Sequence, residues 1–386
     1  MYNIVTLLEI GCNLSDITLI LLGAGSASRF KLPLKKQWLW SNDRPLWLQV
    51  ADNFQTVHNF ESTIIVSSKE DIHAMSNFAD YHFVEGGSSR QNSLKNALEQ
   101  VKTPFVLVSD IARCCIDEAM VSRVLLAKKN KSCVVPTLKV VDTLYFENSP
   151  INRENAKIIQ TPQLSCTNTL KKALATQEKF TDDSSAIASQ GGEIIFVEGS
   201  TTAHKLTTIE DLAKLPCLEA PSRRGLTGFG IDIHPFEEGK KMMLCGVEID
   251  VPFGFKAHSD GDVAIHALID ALLGASGLGD IGELYPDTSE TYKGADSSLL
   301  LKDTLRRLEN LGYVVGNVDL SIIAQTPRLL NYKQAMRFNL AKLLNLRPNL
   351  VNIKATTAEK LGWIGREEGV AVEAIATLYY YDWTQL

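Results

Sequence analysis

The residues best equipped for chemistry lie in two short stretches of the C-terminal half. In Gly230-Ile231-Asp232-Ile233-His234 the alternation of a strand places Asp232 and His234 on one face and predicts Ile231 and Ile233 on the core side. Ala257-His258-Ser259-Asp260-Gly261-Asp262-Val263-Ala264-Ile265-His266 then opens a helix. Ser259 and Asp260 are its candidate caps, Asp262 falls in the first turn, and Val263, Ala264, Ala267, Leu268, Ala271 and Leu272 form its buried side. Asp262, His266 and Asp270 recur at i, i+4 and i+8, one polar stripe on an apolar element. Asp232, His234 and His266 together offer a carboxylate and two imidazoles, three ligands with a fourth position open, the donor pattern of a catalytic zinc. Each histidine alone reads more readily as an ordinary hydrogen-bonded residue; the combination favours the metal reading.

A second kind of chemistry is written into the N-terminal half. The apolar run Thr18–Leu22 reads as a buried parallel strand and delivers the chain into Gly23-Ala24-Gly25-Ser26-Ala27-Ser28-Arg29. Small residues let backbone N–H groups approach phosphates, and Arg29 and Lys36 supply charge. The loop is neither a Walker A sequence nor a complete dinucleotide fingerprint. Helix Leu46–Phe54, strands Thr63–Ser67 and Tyr81–Val84, and a helix opened by Gly86-Gly87-Ser88-Ser89-Arg90-Gln91-Asn92-Ser93 continue a strand–helix alternation, the mark of an α/β parallel sheet. The strand Phe105–Ser109 ends in Asp110, where open α/β sheets place ligand-binding groups. Asp110 is therefore a candidate Mg²⁺ carboxylate or, equally, a cap for the helix beginning near Asp117. Cys133–Pro136 and Glu193–Val197 extend the sheet, residues 138–160 break the alternation and predict a projecting β-arm, and Ile209–Leu215 predicts a closing helix.

With 386 residues the chain exceeds one ordinary core. Pro216-Cys217-Leu218-Glu219-Ala220-Pro221-Ser222-Arg223-Arg224 has two prolines and no apolar period, so it predicts a linker between domains at 1–215 and 225–386. A net charge of −6 argues against a nucleic-acid surface, and no apolar run is long enough for a membrane span. The segment Met1–Leu22 lacks a basic start and carries Glu9 and Asp16, which fits a leading segment and first strand better than a signal peptide. Seven cysteines without a Cys-x-x-Cys pair, with Cys114 and Cys115 adjacent, point to free thiols and a reducing cytoplasm. After the linker, strands Leu226–Ile233, Met242–Ile249, Val314–Ala324, Val351–Thr356 and Ala371–Tyr380 and helices to Gly274, at Ser297–Leu311 and at Tyr332–Leu344 predict an α+β layer.

Gly228–Phe236, Ala257–His266, Ala271–Ala275, Gly279–Gly282, Tyr285–Asp287, Lys293–Ser297, Gly316–Asp319 and Lys354–Gly362, in this order, resemble 2-C-methyl-D-erythritol 2,4-cyclodiphosphate synthase over essentially all of residues 225–386. The resemblance implies a zinc ion, or another divalent ion, on Asp232, His234 and His266, with His258 and Ser259 shaping the substrate site. It implies that Asp270 binds ribose, that Glu359 holds Mg²⁺ on the substrate diphosphate, and that Thr357 polarises that diphosphate. Asp280, Ile281, Gly282, Asp287, Thr356 and Arg366 would complete the substrate contacts. Ala324, Gln325, Thr326, Pro327 and Arg328 would form the cytosine pocket from a neighbouring subunit of a trimer.

Residues 17–215 resemble 2-C-methyl-D-erythritol 4-phosphate cytidylyltransferase, which implies a Rossmann-like nucleotidyltransferase domain ahead of the α+β cyclodiphosphate synthase domain. Ala24, Gly25, Arg29 and Lys36 match the nucleotide loop; Gly87, Arg90 and Ser93 match the cytidine segment; Asp110 and Arg113 match the metal and substrate region. Thr143, Arg153 and Thr161 match the substrate pocket, and Lys205 the second triphosphate lysine. The departures are Ser26-Ala27-Ser28, where the family favours a bulkier residue, glycine and arginine, Ser88 in place of an aspartate, and Ser109 and Cys114 where histidine and proline are common. The small-molecule partners implied are CTP and methylerythritol phosphates. A separate ATP-dependent kinase is also implied, because the first product carries a 2-hydroxyl where the second reaction needs a 2-phosphate, and no kinase signature is present. Arm-mediated dimers joined to trimers give a homo-oligomer, a hexamer in the simplest closure. Two alternatives stay open on sequence alone: a degenerate N-terminal scaffold beside a working cyclase, and a cytidylyltransferase for another polyol phosphate.

Overall fold

The computed structural model describes residues 16–25, 29–176, 178–257, 259–286, 294 and 296–385. The chain divides into two compact units, Met1–Glu219 and Ala220–Leu386.

In the first unit the central strands are apolar runs buried on both faces. Ile17–Leu22, Ser62–Ser67, His82–Glu85 and Phe105–Asp110 lie parallel, in the order 82–85, 62–67, 17–22, 105–110. Gln163–Cys166 then inserts antiparallel between Phe105–Asp110 and Ser132–Lys139, so the sheet is mixed where alternation alone predicts it parallel. Glu193–Glu198 adds parallel to Ser132–Lys139. Helices Arg90–Gln100, Thr167–Leu174 and Asp183–Ser189 cover one face through Leu94, Leu98, Leu170, Leu174 and Ile187. The sequence direction reverses between Ile17–Leu22 and Phe105–Asp110, which opens a crevice at the carboxyl ends of these two strands. Residues 138–160 carry the small hairpin Leu144–Phe146 with Ser149–Ile151 and the edge strand Lys157–Ile159, the expected arm, with Tyr145, Phe146 and Ile158 exposed. The closing helix is a 3₁₀ segment, Ile209–Lys214.

Two expectations change here. Leu218 N–H bonds to the Leu215 carbonyl and Glu219 N–H to Ser41 Oγ, which fastens the first half of the expected linker to the first unit. Cys115 is disulfide-bonded to Cys217, 102 residues away, whereas Cys114, Cys133, Cys166 and Cys245 are free. The adjacency of Cys114 and Cys115 disfavours a bond between those two; it says nothing about a distant partner.

In the second unit a five-stranded sheet has the order 253–255, 226–238, 369–380, 313–323, 351–356. Helices Val263–Ser276, Ser297–Asn310 and Lys333–Leu343 cover one face. Val370, Val372, Ala374, Ala376 and Leu378 point into that layer, as do Val318, Leu320 and Ile322, the period-2 signature of a half-covered sheet. On Leu226–Glu238 the covered positions are Gly228 and Gly230, because the helix backbone lies directly on the strand. A Cβ on Gly228 would sit 2.1 Å from the Ala271 carbonyl oxygen, and one on Gly230 2.1 Å from that of Ala267. Asp232 and His234 continue this helix-facing row. Phe229, Ile231 and Ile233 are therefore on the other face and exposed, contrary to the expectation that Ile231 and Ile233 enter the core. The segment 242–249 is two short strands, Met242–Leu244 and Val247–Ile249, separated by Cys245 and Gly246 at positive φ.

Candidate functional site

The crevice of the first unit is a cavity of about 580 Å³ lined by Leu22, Gly23, Ala24, Gly25, Arg29, Lys36, Gln37, Gly87, Ser88, Ser89, Arg90, Ser93, Asp110, Ile111, Ala112, Lys205 and Thr207. One wall is the helix Arg90–Gln100, whose start is capped by Ser89 accepting from Asn92 N–H at 3.1 Å. Its free N–H groups and dipole favour an anion. Gly86 allows this wall to meet the glycine loop, since a Cβ there would lie 2.3 Å from Ala24 Cβ. The Gly87 N–H donates to Ser93 Oγ at 3.1 Å.

The charges in the cavity are predominantly cationic and held apart by one acid. Asp110 accepts from Lys205 Nζ at 2.6 Å and lies 3.8 Å from Arg90 Nε, while Arg90 Nη1 donates to Asp183 at 3.0 Å. Burial would raise the Asp110 carboxyl, but Lys205 and Arg90 hold it below the usual carboxylate range. Lys36 donates to the Leu206 carbonyl at 2.7 Å. Burial, then the charges of Lys205 and Arg29, push the Lys36 ammonium below the ordinary lysine value. Such an arrangement is poised for a polyanion. The alternative role of Asp110 as a helix cap is excluded: Asp117 caps its own helix by accepting from Met120 N–H.

In the second unit Asp232 Oδ2 lies 3.2 Å from His234 Nε2 and 3.1 Å from His266 Nδ1. The three side chains can each present one ligand atom to a common point. His234 Nδ1 faces the Gly261 carbonyl oxygen at 3.1 Å, which selects the tautomer with Nε2 free. His266 Nε2 faces Ser297 Oγ at 2.9 Å and Ser259 Oγ at 3.4 Å, leaving Nδ1 toward Asp232. Ser297 in turn donates to Asp260, so each imidazole has an outer partner of the kind that orients metal-binding histidines. Burial acts to raise the Asp232 carboxyl; its hydrogen bonds with His234 and His266 outweigh this and hold it far below the usual range. A carboxylate facing two imidazoles is a donor set that fits a divalent cation.

Asp262 is not part of this stripe. It is fully buried, caps the helix by accepting from Ile265 N–H, and also accepts from Cys245 N–H and Gly246 N–H. Asp270 accepts from Ile281 N–H at 2.8 Å, which gathers Asp270, Asp280, Ile281 and Gly282 at one place, and Asp280 caps the short turn by accepting from Glu283 N–H. At the end of the sheet Ala324 N–H bonds to the Thr356 carbonyl, Lys360 N–H to Gln325 Oε1, and Thr357 Oγ1 to Glu359. Residues 324–328 and 356–359 thus form one cluster. Arg366 pairs with Glu368 on the surface.

Two family models match the chain: 2-C-methyl-D-erythritol 4-phosphate cytidylyltransferase over residues 17–217 and the YgbB family over residues 226–379. A bifunctional enzyme IspD/IspF of Sulfurovum sp. (strain NBC37-1) is 64% identical, over 96% of this chain and 99% of its own length. One of Sulfurimonas denitrificans is 54% identical over 100% of both. The solved structure of the bifunctional IspDF from Campylobacter jejuni superposes with a TM-score of 0.86 at 47% identity, covering 96% of this chain and 100% of that one. The chain belongs to the bifunctional IspD/IspF family. Its IspD unit is a cytidylyltransferase and its IspF unit a cyclodiphosphate synthase, two activities of isoprenoid biosynthesis carried on one chain.

Not every candidate residue of the IspD unit reaches the cavity. Arg113 does not line it, donating instead to the Ala203 carbonyl at 2.6 Å, though its charge still acts on Asp110. Thr143 and Arg153 stand exposed on the arm, Arg153 donating to the Val141 carbonyl, and Thr161 is buried with its hydroxyl unpartnered. Ser88, where the family favours an aspartate, lines the cavity and accepts from Asn92 Nδ2 at 3.0 Å. In the IspF unit His258 and Asp287, like Ser26-Ala27-Ser28 of the glycine loop, lie outside the described residues. Sequence reasoning gave no role to Ser297, Gly261 or Asp183. Ser297 stands inside a quoted family stretch and just after the helix-capping Asp296, a signal that it opens a helix but not that it faces His266. No helix of the described residues is long and apolar enough to cross a membrane.

Proposed function

We propose that residues 1–215 transfer CMP from CTP to 2-C-methyl-D-erythritol 4-phosphate. We further propose that residues 225–386 cyclise 4-diphosphocytidyl-2-C-methyl-D-erythritol 2-phosphate to the 2,4-cyclodiphosphate with release of CMP. The observation that carries the first half is the crowding of Arg29, Lys36, Lys205 and Arg90 around one carboxylate in a cavity open to a triphosphate. A phosphate oxygen of the polyol phosphate attacks the α-phosphorus of CTP, the α–β bridging P–O bond breaks, and diphosphate leaves. The protein's share of this reaction is positioning and charge neutralisation. Arg29, Lys36 and Lys205 would neutralise the triphosphate, while Ala24, Gly25, Gly87, Arg90 and Ser93 would seat the nucleotide. Asp110 is the residue that would hold Mg²⁺, which when bound would offset phosphate charge. Arg113, Thr143, Arg153 and Thr161 would hold the polyol phosphate; the exposed arm supports delivery of Thr143 and Arg153 to a second copy of the unit.

In the second unit an oxygen of the 2-phosphate attacks the β-phosphorus and CMP leaves with the α–β bridging oxygen. Asp232, His234 and His266 would hold zinc or another divalent ion, a Lewis acid for that phosphate when bound. Glu359 would hold Mg²⁺ on the diphosphate and Thr357 would polarise it. Asp270 would bind ribose, and His258, Ser259, Asp280, Ile281, Gly282, Asp287, Thr356 and Arg366 would frame the substrate. The cluster formed by Ala324, Gln325, Thr326, Pro327 and Arg328 with residues 356–359 ends strands that lie two and three places from the strand bearing Asp232. At ordinary strand spacing the outer of these is about 14 Å away. That separation, with the exposed face of Phe229, Ile231, Ile233 and Ile375, supports a site completed by a neighbouring copy in a trimer. Arm dimers joined to such trimers would close as a hexamer, in a cytoplasmic setting.

The assay that tests both halves measures CTP-dependent diphosphate release with and without methylerythritol phosphate, and CMP release from the cyclase substrate. Diphosphate release unaffected by the polyol phosphate would remove the first assignment. With methylerythritol phosphate, CTP, ATP, Mg²⁺ and Zn²⁺ the pure chain should stop at the cytidine diphosphate alcohol, because phosphorylation of its 2-hydroxyl requires a separate ATP-dependent kinase. Cyclic product from a kinase-free preparation would overturn that partner.

A further inference from the structure

Two segments of the first unit form adjoining walls of the cavity: Asp110–Cys115, which contributes Asp110, Ile111 and Ala112, and residues 203–217, which contribute Lys205 and Thr207. They are joined at four points. Lys205 Nζ meets Asp110 at 2.6 Å, Leu206 N–H donates to the Ala112 carbonyl at 2.8 Å, and Arg113 Nη1 donates to the Ala203 carbonyl at 2.6 Å. The fourth link is the covalent bond between Cys115 and Cys217. A third sulfur stands beside it: Cys114 Sγ is 3.9 Å from Cys217 Sγ. Cys217 thus has two thiols within reach and is bonded to one. Burial pushes the Cys114 thiol up to about 11, which keeps it protonated and a poor attacker near neutral pH. Cys115 is buried while Cys217 is partly exposed, so the Cys217 side of the bond is the more open to an external thiol.

We propose that Cys115 and Cys217 are a reversible thiol–disulfide modification site, responsive to small-molecule thiols and disulfides, that clamps the two cavity walls and tightens nucleotide binding in the oxidised chain. The effect on nucleotide rests on the reading of the cavity as the CTP site. In the reductive direction a thiolate attacks Cys217 Sγ, the S–S bond breaks, and Cys115 departs as a thiolate that takes up a proton. A second small-molecule thiol then attacks the mixed disulfide, releasing Cys217 as a thiol and the small molecule as its disulfide. Two electrons pass from the two small thiols to the protein bond, and the reverse sequence restores it. Bridging the walls preorganises the cavity, which acts on affinity more than on turnover.

The test uses the full chain equilibrated with reduced or oxidised dithiothreitol. Denatured samples should titrate five thiols when oxidised and seven when reduced, with peptide mapping placing the bond between Cys115 and Cys217. Reduction should raise KM for CTP about five-fold with a smaller change in kcat, leave CMP release by the cyclase unit unchanged, and speed hydrogen exchange at the Leu206 amide. Cys217→Ser should match the reduced chain in both buffers, and Cys114→Ser should keep the response. Seven thiols in both buffers would overturn the proposal, as would equal KM and equal Leu206 exchange in two states that differ in thiol count. Loss of one bound zinc per chain in Cys217→Ser, from protein without the bond, would replace the clamp by a thiolate metal site and so also overturn it. Absence of diphosphate release in both states, with thiol count and Leu206 exchange still switching, would support the clamp and count against the CTP reading alone.

Discussion

The cavity of the first unit and the Asp232–His234–His266 trio of the second are built with opposite electrostatics. In the first, several cations surround one acid, and Lys36 is pushed down by burial and by Lys205 and Arg29. In the second, one carboxylate faces two imidazoles and is held far down by them against the effect of burial. The first arrangement is relieved by a polyanion and the second by a cation, so each unit should be stabilised by a different ligand. The sites differ also in how much of each a single chain supplies. The proposed nucleotide cradle closes around one cavity within the first unit, whereas in the second the cluster proposed for cytosine ends strands two and three places from the strand bearing Asp232 and His234.

If this contrast holds, single substitutions should divide the activities cleanly. His234→Ala removes a ligand from the smaller set, so bound metal should be lost and cyclisation fall by roughly 10³-fold, with cytidylyl transfer unchanged. Elemental analysis and CMP release check this; retention of both would break the assignment. Lys36→Ala should depress cytidylyl transfer by about 10²–10³-fold through lost charge stabilisation and leave cyclisation near wild type. An equal fall in both, with the fold intact, would end the modular reading. Ser297→Ala strips His266 of its 2.9 Å outer partner without touching a ligand, and metal affinity measured by chelator competition should weaken about 10–100-fold. The smallest effect concerns stability. Because the folded Lys36 pKa lies below its unfolded value of 10.5, the charged lysine opposes folding at neutral pH, where both states are protonated. That opposition disappears as pH rises through the folded pKa toward 10.5. Lys36→Met should therefore raise the ligand-free unfolding temperature of the first unit by a few degrees or less, most at neutral pH and least near pH 10.5. A gain that grew with pH would contradict the electrostatic account of the cavity.

The gathering of Asp232 with His234 and His266, and of Arg29 with Lys36 about one cavity, was legible because it rests on local periodicity and a glycine loop. Alternation alone put Asp232 with His234, and the helix following Asp260 brought His266 into view. What alternation does not specify is which face of a strand the protein covers. Ile231 and Ile233 look like core residues by composition, yet Gly228 and Gly230 hold the covered face because only a residue without a Cβ admits the helix backbone. Asp262 was misplaced for a related reason: its carboxylate serves three backbone N–H groups from two segments, one of them 16 residues earlier. The strand Gln163–Cys166 and the Cys115–Cys217 bond were missed because both depend on partners distant in sequence. Thr143 and Arg153 were assigned through the family resemblance, and their exposure on the arm is a matter of tertiary placement that no window of sequence reports.

The contact between Gly230 and the helix Val263–Ser276 has a metrological consequence. Where side chains separate two elements, their spacing follows whichever residues fill the layer, and it drifts when those residues change. Here the spacer is backbone against backbone, so the gap between the strand bearing Asp232 and His234 and the helix bearing His266 is set by atomic radii common to every peptide. The bite proposed for an ion is thereby calibrated by the main chain itself.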